Sequence, residues 1–228
     1  NTMFPINDSI LSEVKYSPFA YDKHAKLFYT DDITSPSKDR GKFIDESIDL
    51  VKKILDIYQG KALILFTSKA DMNAVYTRLK ALNLNYTLIK QNEISSQQQL
   101  IYKFKQDVNS VLLGTGVFWE GISIEGIALS NLIIYKLPFP LPEPIINEKC
   151  KRSKNPLEEV LVPEMIIKLK QGVGRLIRNK TDKGIVSIID SRLGDKSKAS
   201  YKEKVWQALP IKQRTNSLKE LQSFYDNL

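Results

Sequence analysis

The amino-acid sequence predicts an α/β protein with a mostly parallel β-sheet and helices on both faces. Two short unbroken apolar runs, residues 62–66 and 185–189, are typical of strands that are buried on both faces. Segments with apolar residues at helical spacing separate the apolar runs, and glycine or proline bounds most of them. Strands that alternate with helices in this way form parallel sheets through right-handed crossovers. Ligands of such sheets bind beyond the carboxyl ends of the strands.

The N-terminal 40 residues differ in pattern from the rest of the chain. They lack a steady apolar period and contain Pro5, Pro18 and Pro36. We therefore predict residues 1–40 as a leading segment with one candidate strand at residues 27–29, and residues 41–228 as the main domain.

The sequence of the first half of the main domain predicts three helices and four strands. Apolar residues recur at helical spacing from Ile44 to Tyr58, and Gly60 provides a stop signal. A second helix runs to Leu82, with Asp71 as its expected N-cap. The other predicted elements are strands at 62–66, 86–89, 111–113 (ending at Gly114) and 132–135, and a helix at 97–105.

The second half begins with a proline-rich loop. Four prolines between residues 137 and 144 exclude regular structure, because proline fixes φ and lacks an N–H donor. Pro163 suits the first turn of a helix that runs towards Arg178. The remaining predicted elements are a strand at 185–189 and helices at 198–208 and 216–226.

The positive charge is concentrated in one part of the chain. The 228 residues contain 34 Lys and Arg against 26 Asp and Glu, a net charge of +8. Residues 149–204 hold 15 of the basic and 7 of the acidic residues, so the whole surplus lies there. This clustering predicts either a polyanionic ligand or a lysine-rich solvated surface.

Composition excludes several classes of site and protein. A single cysteine, Cys150, excludes an internal disulfide and a four-thiolate zinc or iron–sulfur site, and a single histidine, His24, excludes a His-rich metal site. No apolar run approaches the roughly 18 residues that would predict a membrane span. We expect a cytoplasmic protein with no membrane partner. The chain begins at Asn1 without a signal peptide, so we expect it to be a piece of a longer protein.

The loop after the strand at 111–113 combines glycines with aromatic residues. Gly114, Gly116 and Gly121 would let backbone N–H groups approach a phosphate. Phe118 and Trp119 are costly to expose, so they would stack on a base or pack on a neighbouring domain. The alternative is a tight turn that carries two core aromatic residues.

A second unusual segment, residues 171–178, reads Gln-Gly-Val-Gly-Arg-Leu-Ile-Arg. Arg175 and Arg178 are three residues apart, so on a helix they would lie on the same side. Paired guanidiniums repel unless an anion or carboxylates lie between them, and their fork geometry suits a γ-phosphate. Two glycines in a helix each cost about 1 kcal/mol relative to alanine, which indicates close backbone packing. The alternative, a solvent-facing pair of arginines, fits the glycines poorly.

The order of these segments resembles that of motifs V and VI in superfamily-2 helicases. Their amino-acid residues resemble those of the DinG branch of the XPD/DinG family. Ser-Pro-Phe at 17–19 is similar to the start of that branch's second motor domain. Leu-Phe-Thr-Ser at 65–68 is similar to its motif IV, and Phe-Trp-Glu-Gly-Ile at 118–122 to its motif V. The resemblance covers about residues 16–210 and implies a RecA-like C-terminal motor domain. The other matching segments are residues 137–139 and 180–184.

The resemblance implies a nucleotide-facing edge formed by Gln171, Arg175 and Arg178. Arg178 resembles the arginine finger that stabilises charge on the transferring γ-phosphate, with Arg175 in the same network. The residues implied to lie near the nucleotide are Glu120, Gly121, Ser123 and Gly174.

The resemblance also implies partners. The residues implied to contact phosphates of single-stranded DNA are Thr67, Ser68, Lys69, Gly114 and Thr115. ATP would bind between this chain and a first RecA-like domain of the same polypeptide, which would hold Mg²⁺. The basic segment after Lys149 would guide the strand. An N-terminal exonuclease domain is a further candidate partner, and no iron–sulfur cluster is expected in this chain.

The sequence lacks the motifs that belong to the other half of such an ATPase. It contains no Gly-x-x-x-x-Gly-Lys-Ser/Thr loop and no Asp-Glu-x-His box. It also contains no Asp-x-Glu pair, so we do not expect the chain itself to be the exonuclease. We expect the chain alone to be inactive as an ATPase.

One departure from the family pattern leaves two functions open. Ser123 stands where motif V usually has aspartate. The first function is the second motor domain of a DinG-type ATP-dependent DNA helicase. The second is an ATP-gated DNA-binding module that positions or regulates an attached 3'-5' exonuclease without unwinding. An unrelated α/β nucleotide-binding domain with chance motifs is a third, weaker alternative.

Overall fold

A single parallel sheet organises the chain. The computed structural model describes residues 24–92, 94–119, 129–176 and 182–227. The strands in these ranges are β1 (Ala25–Tyr29), β2 (Ala62–Phe66), β3 (Leu88–Lys90), β4 (Val111–Thr115), β5 (Asn131–Ile134), β6 (Gly184–Ile188) and β7 (Arg214–Thr215). Their order across the sheet is β3-β4-β2-β5-β6-β1-β7, and every pairing is parallel. The predicted α/β class with a mostly parallel sheet is confirmed.

Helices connect the strands. The α-helices of the described ranges are α1 (Arg40–Tyr58), α2 (Lys69–Ala81), α3 (Gln97–Gln106), α4 (Pro144–Arg152), α5 (Val162–Val173), α6 (Lys202–Ala208) and α7 (Leu218–Asp226). Two 3₁₀ turns, Gly116–Phe118 and Ser191–Leu193, follow β4 and β6, and a π-helical turn, Leu157–Leu161, precedes α5. None of the helices in this part of the chain is long and apolar enough to cross a membrane.

Two hydrophobic cores lie on opposite faces of the sheet. Leu63 and Leu65 of β2 pack with side chains of α3, α5 and α6. Ile64 and Phe66 alternate to the other face and pack with side chains of α1, α2 and α7. All five residues of β2 are buried, as the unbroken apolar run predicts. The predicted arrangement of helices on both faces is confirmed.

Local capping explains where α1 begins and ends and where α3 begins. The Asp39 carboxylate accepts a hydrogen bond from the Lys42 N–H at the start of α1, and Gln59 ends that helix in the left-handed conformation at φ 51°. Ser96 and Gln99 form a reciprocal capping box at the start of α3. These polar contacts satisfy backbone groups that the first and last helical turns leave unpaired.

The prediction that Asp71 caps the second helix is wrong. Ser68 is the N-cap of α2, and its hydroxyl accepts hydrogen bonds from the N–H groups of Ala70 and Asp71. Asp71 lies in the first turn of the helix and is 2% exposed, and its carboxylate pairs with two cations described below.

Several predicted boundaries also differ from the structure. β4 continues through Gly114 to Thr115, and the strand predicted at 86–89 begins only at Leu88. The helix that starts near Pro163 ends at Val173, well before Arg178. The helix predicted at 198–208 starts at residue 202, and the two-residue strand β7 was not predicted.

The strand predicted at 27–29 is confirmed as β1. β1 lies inside the sheet, where it pairs with β6 on one side and β7 on the other. The described part of the leading segment therefore belongs to the same sheet as the main domain. The Ser-Pro-Phe segment at 17–19 lies outside the described residues.

Candidate functional site

Four of the segments that follow strands meet at the carboxyl edge of the sheet. β2 and β4 are neighbours, and their last residues, Phe66 and Thr115, are paired in register. β5 flanks β2 on the other side, and β6 lies next to β5. Because parallel strands end at the same edge, the segments that begin at Thr67, Gly116, Tyr135 and Ile189 lie side by side.

The residues predicted to contact DNA after β2 have different environments. Thr67 and Ser68 are half-buried, whereas Lys69 is exposed. The Ser68 hydroxyl already accepts two N–H groups as a helix cap, so only its proton is available to a phosphate. Lys69 lines a cavity of about 360 Å³ together with Lys90 and Gln91.

Gln91 and Phe118 fix the positions of Thr115 and Gly114. The Thr115 N–H and hydroxyl both donate to Gln91 Oε1, at 2.7 and 3.2 Å. Gly114 is buried against the Phe118 ring, and a Cβ added at Gly114 would lie 2.5 Å from Phe118 Cγ. A glycine is therefore required here by packing. Sequence reasoning missed Gln91, whose partner is 24 residues away along the chain.

Trp119 joins the end of β2 to α5. Its ring is fully buried, and its indole Nε1–H donates to the Phe66 carbonyl at 2.8 Å. A Cβ added at Gly172 would lie 2.8 Å from Trp119 Cζ3, so the glycine admits the ring against α5. Phe118 and Trp119 are both core residues, which corrects the expectation that they stack on a base. The close backbone packing predicted for the glycines of residues 171–178 occurs at Gly172.

Arg175 contacts Trp119 directly. Its Nε and Nη2 donate to the Trp119 carbonyl at 3.2 and 2.7 Å. α5 ends at Val173, with Gly174 as its C-cap, so Arg175 lies in the turn that follows. The prediction that Arg175 lies on this helix is therefore wrong. We call the contacts among Phe66, Trp119, Gly172 and Arg175 the Trp119 junction.

Gln171 shares a groove with Thr67. The groove has a volume of about 340 Å³ and lies between the proline-rich loop and α5. Gln171, Lys168 and Glu164 contribute polar side chains from α5, and Thr67 contributes from the end of β2. The structure thus brings a residue predicted for the nucleotide side and one predicted for the DNA side to the same groove.

A second junction connects the ends of β5 and β6. The fully buried Asp190 carboxylate accepts the Leu137 N–H at 2.9 Å and pairs with Arg192, whose Nη2 lies 2.6 Å from Asp190 Oδ2. The Arg192 guanidinium lies over the Phe139 ring, 5.1 Å from its centroid. We call these contacts the Asp190 junction. The sequence indicated this stretch only by its position after a strand.

Lys136 has a strained backbone beside the proline-rich loop. Its φ is 105°, which non-glycine residues rarely adopt. Its Nζ lies 2.5 Å from Asp71 Oδ2, while the Arg40 Nη2 lies 2.7 Å from Asp71 Oδ1. The buried Asp71 therefore ties α1, α2 and the start of the loop together. Sequence reasoning missed this contact, because its three members lie on separate elements.

Tyrosines near this edge remain protonated at neutral pH. Burial and a hydrogen bond from the Tyr29 hydroxyl to the Asp195 carboxylate raise the pKa of Tyr29 to about 12. Burial also raises the pKa of Tyr135, whose hydroxyl lies 2.5 Å from Ser47 Oγ. These hydroxyls act as structural hydrogen-bonding groups.

The basic segment after Lys149 is solvated and largely ion-paired. α4 has no buried residue. Lys149 lies 2.6 Å from Glu164, and Lys151 and Arg152 lie 2.8 and 3.9 Å from Glu148. Exposed pairs of this kind contribute about 0–1 kcal/mol each, so they leave the surface free to exchange partners.

No group of three or more His, Cys, Asp or Glu side chains in the described ranges could hold a metal ion. The carboxyl edge instead offers hydroxyls, backbone N–H groups and basic side chains, which suit phosphate oxygens. Four predicted site residues, Glu120, Gly121, Ser123 and Arg178, lie outside the described residues.

Comparison with known proteins identifies the family. The family described as "Helicase C-terminal domain" matches residues 51–212. The chain belongs to this helicase C-terminal domain family. The predicted resemblance to the C-terminal motor domain of the DinG and XPD proteins is confirmed.

Two curated relatives match most of the chain. The ATP-dependent DNA helicase YoaA of Haemophilus influenzae is 33% identical over 227 residues, which cover 96% of this chain and 34% of the relative. The 3'-5' exonuclease DinG of Bacillus subtilis is 33% identical over 216 residues, which cover 90% of this chain and 22% of the relative. The helicase C-terminal domain described here thus spans about a third or less of these two relatives.

Solved structures confirm the RecA-like fold. The structure "XPD_Helicase" has a TM-score of 0.61 at 22% identity and covers 81% of this chain and 34% of that one. The C-terminal domain of the DEAD-box protein Dbp5 has a TM-score of 0.51 at 15% identity and covers 91% of this chain and 99% of that one. At these identities the likeness concerns the fold alone.

Proposed function

We propose that this chain is the second motor domain of a DinG-type ATP-dependent DNA helicase. It would supply the arginine finger, Arg178, and part of the surface that binds single-stranded DNA. The proposal is consistent with the relative YoaA, whose name is ATP-dependent DNA helicase. ATP and Mg²⁺ would be held mainly by a first RecA-like domain of the same polypeptide.

The observation that supports this function best is the Trp119 junction. Arg175, predicted for the nucleotide side, donates to the Trp119 carbonyl, and the Trp119 indole donates to the residue that precedes Thr67. Gln171 and Thr67 also line one groove. An ATPase that responds to DNA needs its nucleotide contacts and its DNA contacts to be mechanically joined, and these residues are joined.

Side-chain chemistry supports several of the roles that the family resemblance implies. Arg178 and Arg175 present forked guanidinium donors that match phosphate oxygens. Gln171 adds a neutral amide at the same edge. On the DNA side, the Thr67 and Thr115 hydroxyls and the Lys69 charge suit contacts to backbone phosphates, which position a strand without reading its sequence. Glu120, Gly121, Ser123 and Gly174 are proposed to lie near the nucleotide.

Steady-state ATP hydrolysis tests the proposal. We expect the complete protein to hydrolyse ATP faster when single-stranded DNA is added, and this chain alone to hydrolyse ATP negligibly. The reason is that the proposed site needs a phosphate loop and a Mg²⁺ site from the first motor domain. Robust DNA-stimulated turnover by this chain alone would contradict the half-motor proposal.

A second function is favoured by one relative and one residue. The B. subtilis relative is named 3'-5' exonuclease DinG, and Ser123 replaces the usual motif V aspartate. In this alternative the chain is part of an ATP-gated DNA-binding module that positions or regulates an attached exonuclease without unwinding.

Strand displacement separates the two functions. The complete protein is compared with its Ser123→Asp variant on a partial duplex labelled on the displaced strand. ATP-dependent displacement by the unmodified protein supports the helicase motor. Displacement only after Ser123→Asp supports the non-unwinding module.

A further inference from the structure

Both polar ends of Trp119 are used within the fold. Its fully buried indole donates from Nε1 to the Phe66 carbonyl, and its own carbonyl accepts both the Nε and the Nη2 of Arg175. The two partners belong to different segments, the end of β2 and the turn after α5. Trp119 therefore lies on a continuous hydrogen-bonded path from Arg175 to Phe66.

The ring of Trp119 is confined by α5. Gly172 allows the ring to approach so closely that a methyl group there would lie 2.8 Å from Cζ3. The Lys168 Nζ lies 5.6 Å from the ring centroid, within the range of a cation–π contact. A shift of α5 or of the turn that follows it therefore displaces the indole.

The path ends at the Phe66–Thr67 peptide bond, and Thr67 is the first of the residues proposed to contact DNA. The Phe66 carbonyl that accepts the indole N–H belongs to the same peptide group as the Thr67 N–H, because a peptide bond is planar. Displacement of the indole therefore changes the orientation of that peptide group. Thr67 and the capping residue Ser68 follow directly.

We propose that Trp119 is a positioning residue that couples Arg175 on the nucleotide side to Thr67 on the DNA side. Nucleotide contact at Arg175 shifts the Trp119 carbonyl, and the indole N–H transmits the shift to the Phe66–Thr67 peptide. This inference rests on the proposed function of the chain. Linkage requires the coupling to be reciprocal, so DNA bound at Thr67 favours nucleotide contact by the same factor.

The test measures coupling by equilibrium binding to the complete protein. The Kd for single-stranded DNA is determined with and without a non-hydrolysable ATP analogue, for the unmodified protein and for Trp119→Phe. Phenylalanine keeps an aromatic ring against Gly172 and removes the indole donor. We expect the two Kd values of the unmodified protein to differ by about fivefold or more. In Trp119→Phe we expect them to differ by less than about twofold, while the KM for ATP without DNA is retained.

The chain contains a matched control, since it has two tryptophans. Trp206 is also largely buried, but it packs on Tyr29 and Arg214, which are not members of the Trp119 junction. Trp206→Phe should retain the full Kd difference. A loss of coupling in both variants would contradict a specific role for Trp119.

Two further results make the test decisive. If Trp119→Phe unfolds, benzothienylalanine at position 119 in the Trp206→Phe background tests the hydrogen bond instead. This amino acid keeps the shape of the indole ring and replaces only its N–H by sulfur. Retention of the full Kd difference with either folded Trp119 replacement would overturn the inference. Absence of any nucleotide or DNA binding by the unmodified protein would overturn the proposed function itself.

Discussion

The Trp119 junction and the Asp190 junction lie on the same edge of the sheet and are held by different chemistry. In the Trp119 junction, Arg175 and the indole N–H both donate to neutral backbone carbonyls. In the Asp190 junction, a fully buried carboxylate pairs with the Arg192 guanidinium and also accepts a backbone N–H. Each junction adds a cation over an aromatic ring, Lys168 over Trp119 and Arg192 over Phe139.

This difference indicates different mechanical roles. Separating a buried carboxylate from its cation leaves an uncompensated charge, so the Asp190 junction resists rearrangement. The hydrogen bond from the neutral indole to a carbonyl contributes about 0.5–1.5 kcal/mol net, and the bond from the charged guanidinium contributes about 1.5–3 kcal/mol. Both acceptors are neutral carbonyls, so exchanging either bond for another leaves no buried carboxylate unpaired. We therefore regard the Asp190 junction as a fixed part of the scaffold and the Trp119 junction as the part suited to move during the proposed ATP cycle.

Breaking the Asp190 junction should have the largest effect on stability. Asp190→Ala removes the carboxylate and leaves both Arg192 and the Leu137 N–H without their acceptor. We expect the free energy of unfolding to fall by about 3–5 kcal/mol, measured by urea denaturation. The control is Asp45→Ala, which removes an exposed ion pair with Arg78 and should cost less than about 1 kcal/mol. Equal losses in the two variants would show that the Asp190 junction is not a rigid scaffold.

Overfilling the Trp119 junction should have an intermediate effect. The methyl group of Gly172→Ala would lie 2.8 Å from the Trp119 ring, and overpacking of this kind costs about 1–3 kcal/mol. The matched control is Gly41→Ala in the first turn of α1, where the new methyl group would lie 3.5 Å from Asp39 Oδ1. We expect Gly41→Ala to be neutral or to stabilise by up to about 1 kcal/mol. A Gly172→Ala variant as stable as the unmodified protein would contradict the packing described for Trp119.

Removing the cation over the indole should have the smallest effect. Lys168→Met keeps the length and apolar character of the stem and removes the charge above the Trp119 ring. We expect a loss of about 0.5–1 kcal/mol in the free energy of unfolding. A loss above about 3 kcal/mol would mean that the Lys168 charge, and not hydrogen bonding to backbone carbonyls, dominates the Trp119 junction.

The parts of the fold that depend on local pattern could be predicted from the sequence. The apolar run of β2 and the helical spacing of α1 are each read from contiguous residues, and both elements are present. The position of the candidate site could be predicted as well, because the carboxyl ends of parallel strands share one edge. Motif order then identified which of the segments at that edge belong to a helicase-type domain.

The contacts that shape the candidate site could not be predicted in the same way. The Asp190–Leu137 and Trp119–Phe66 hydrogen bonds each join residues 53 positions apart, so no local pattern signals them. The choice of Ser68 over Asp71 as helix cap was also hidden, because both side chains are good caps. The Asp71 carboxylate instead forms ion pairs with Arg40 and Lys136, which lie on two other segments.

We proposed that this chain completes an ATPase site with an arginine finger, and kcat for ATP hydrolysis tests that role. Arg178→Ala is compared with Arg78→Ala in the complete protein, at saturating ATP and single-stranded DNA. Arg78 serves as the control because it is partly exposed on α2 and pairs with Asp45. We expect Arg178→Ala to lower kcat by about 10³-fold or more and to retain DNA binding, and Arg78→Ala to leave kcat unchanged. An unchanged kcat in Arg178→Ala would contradict the account.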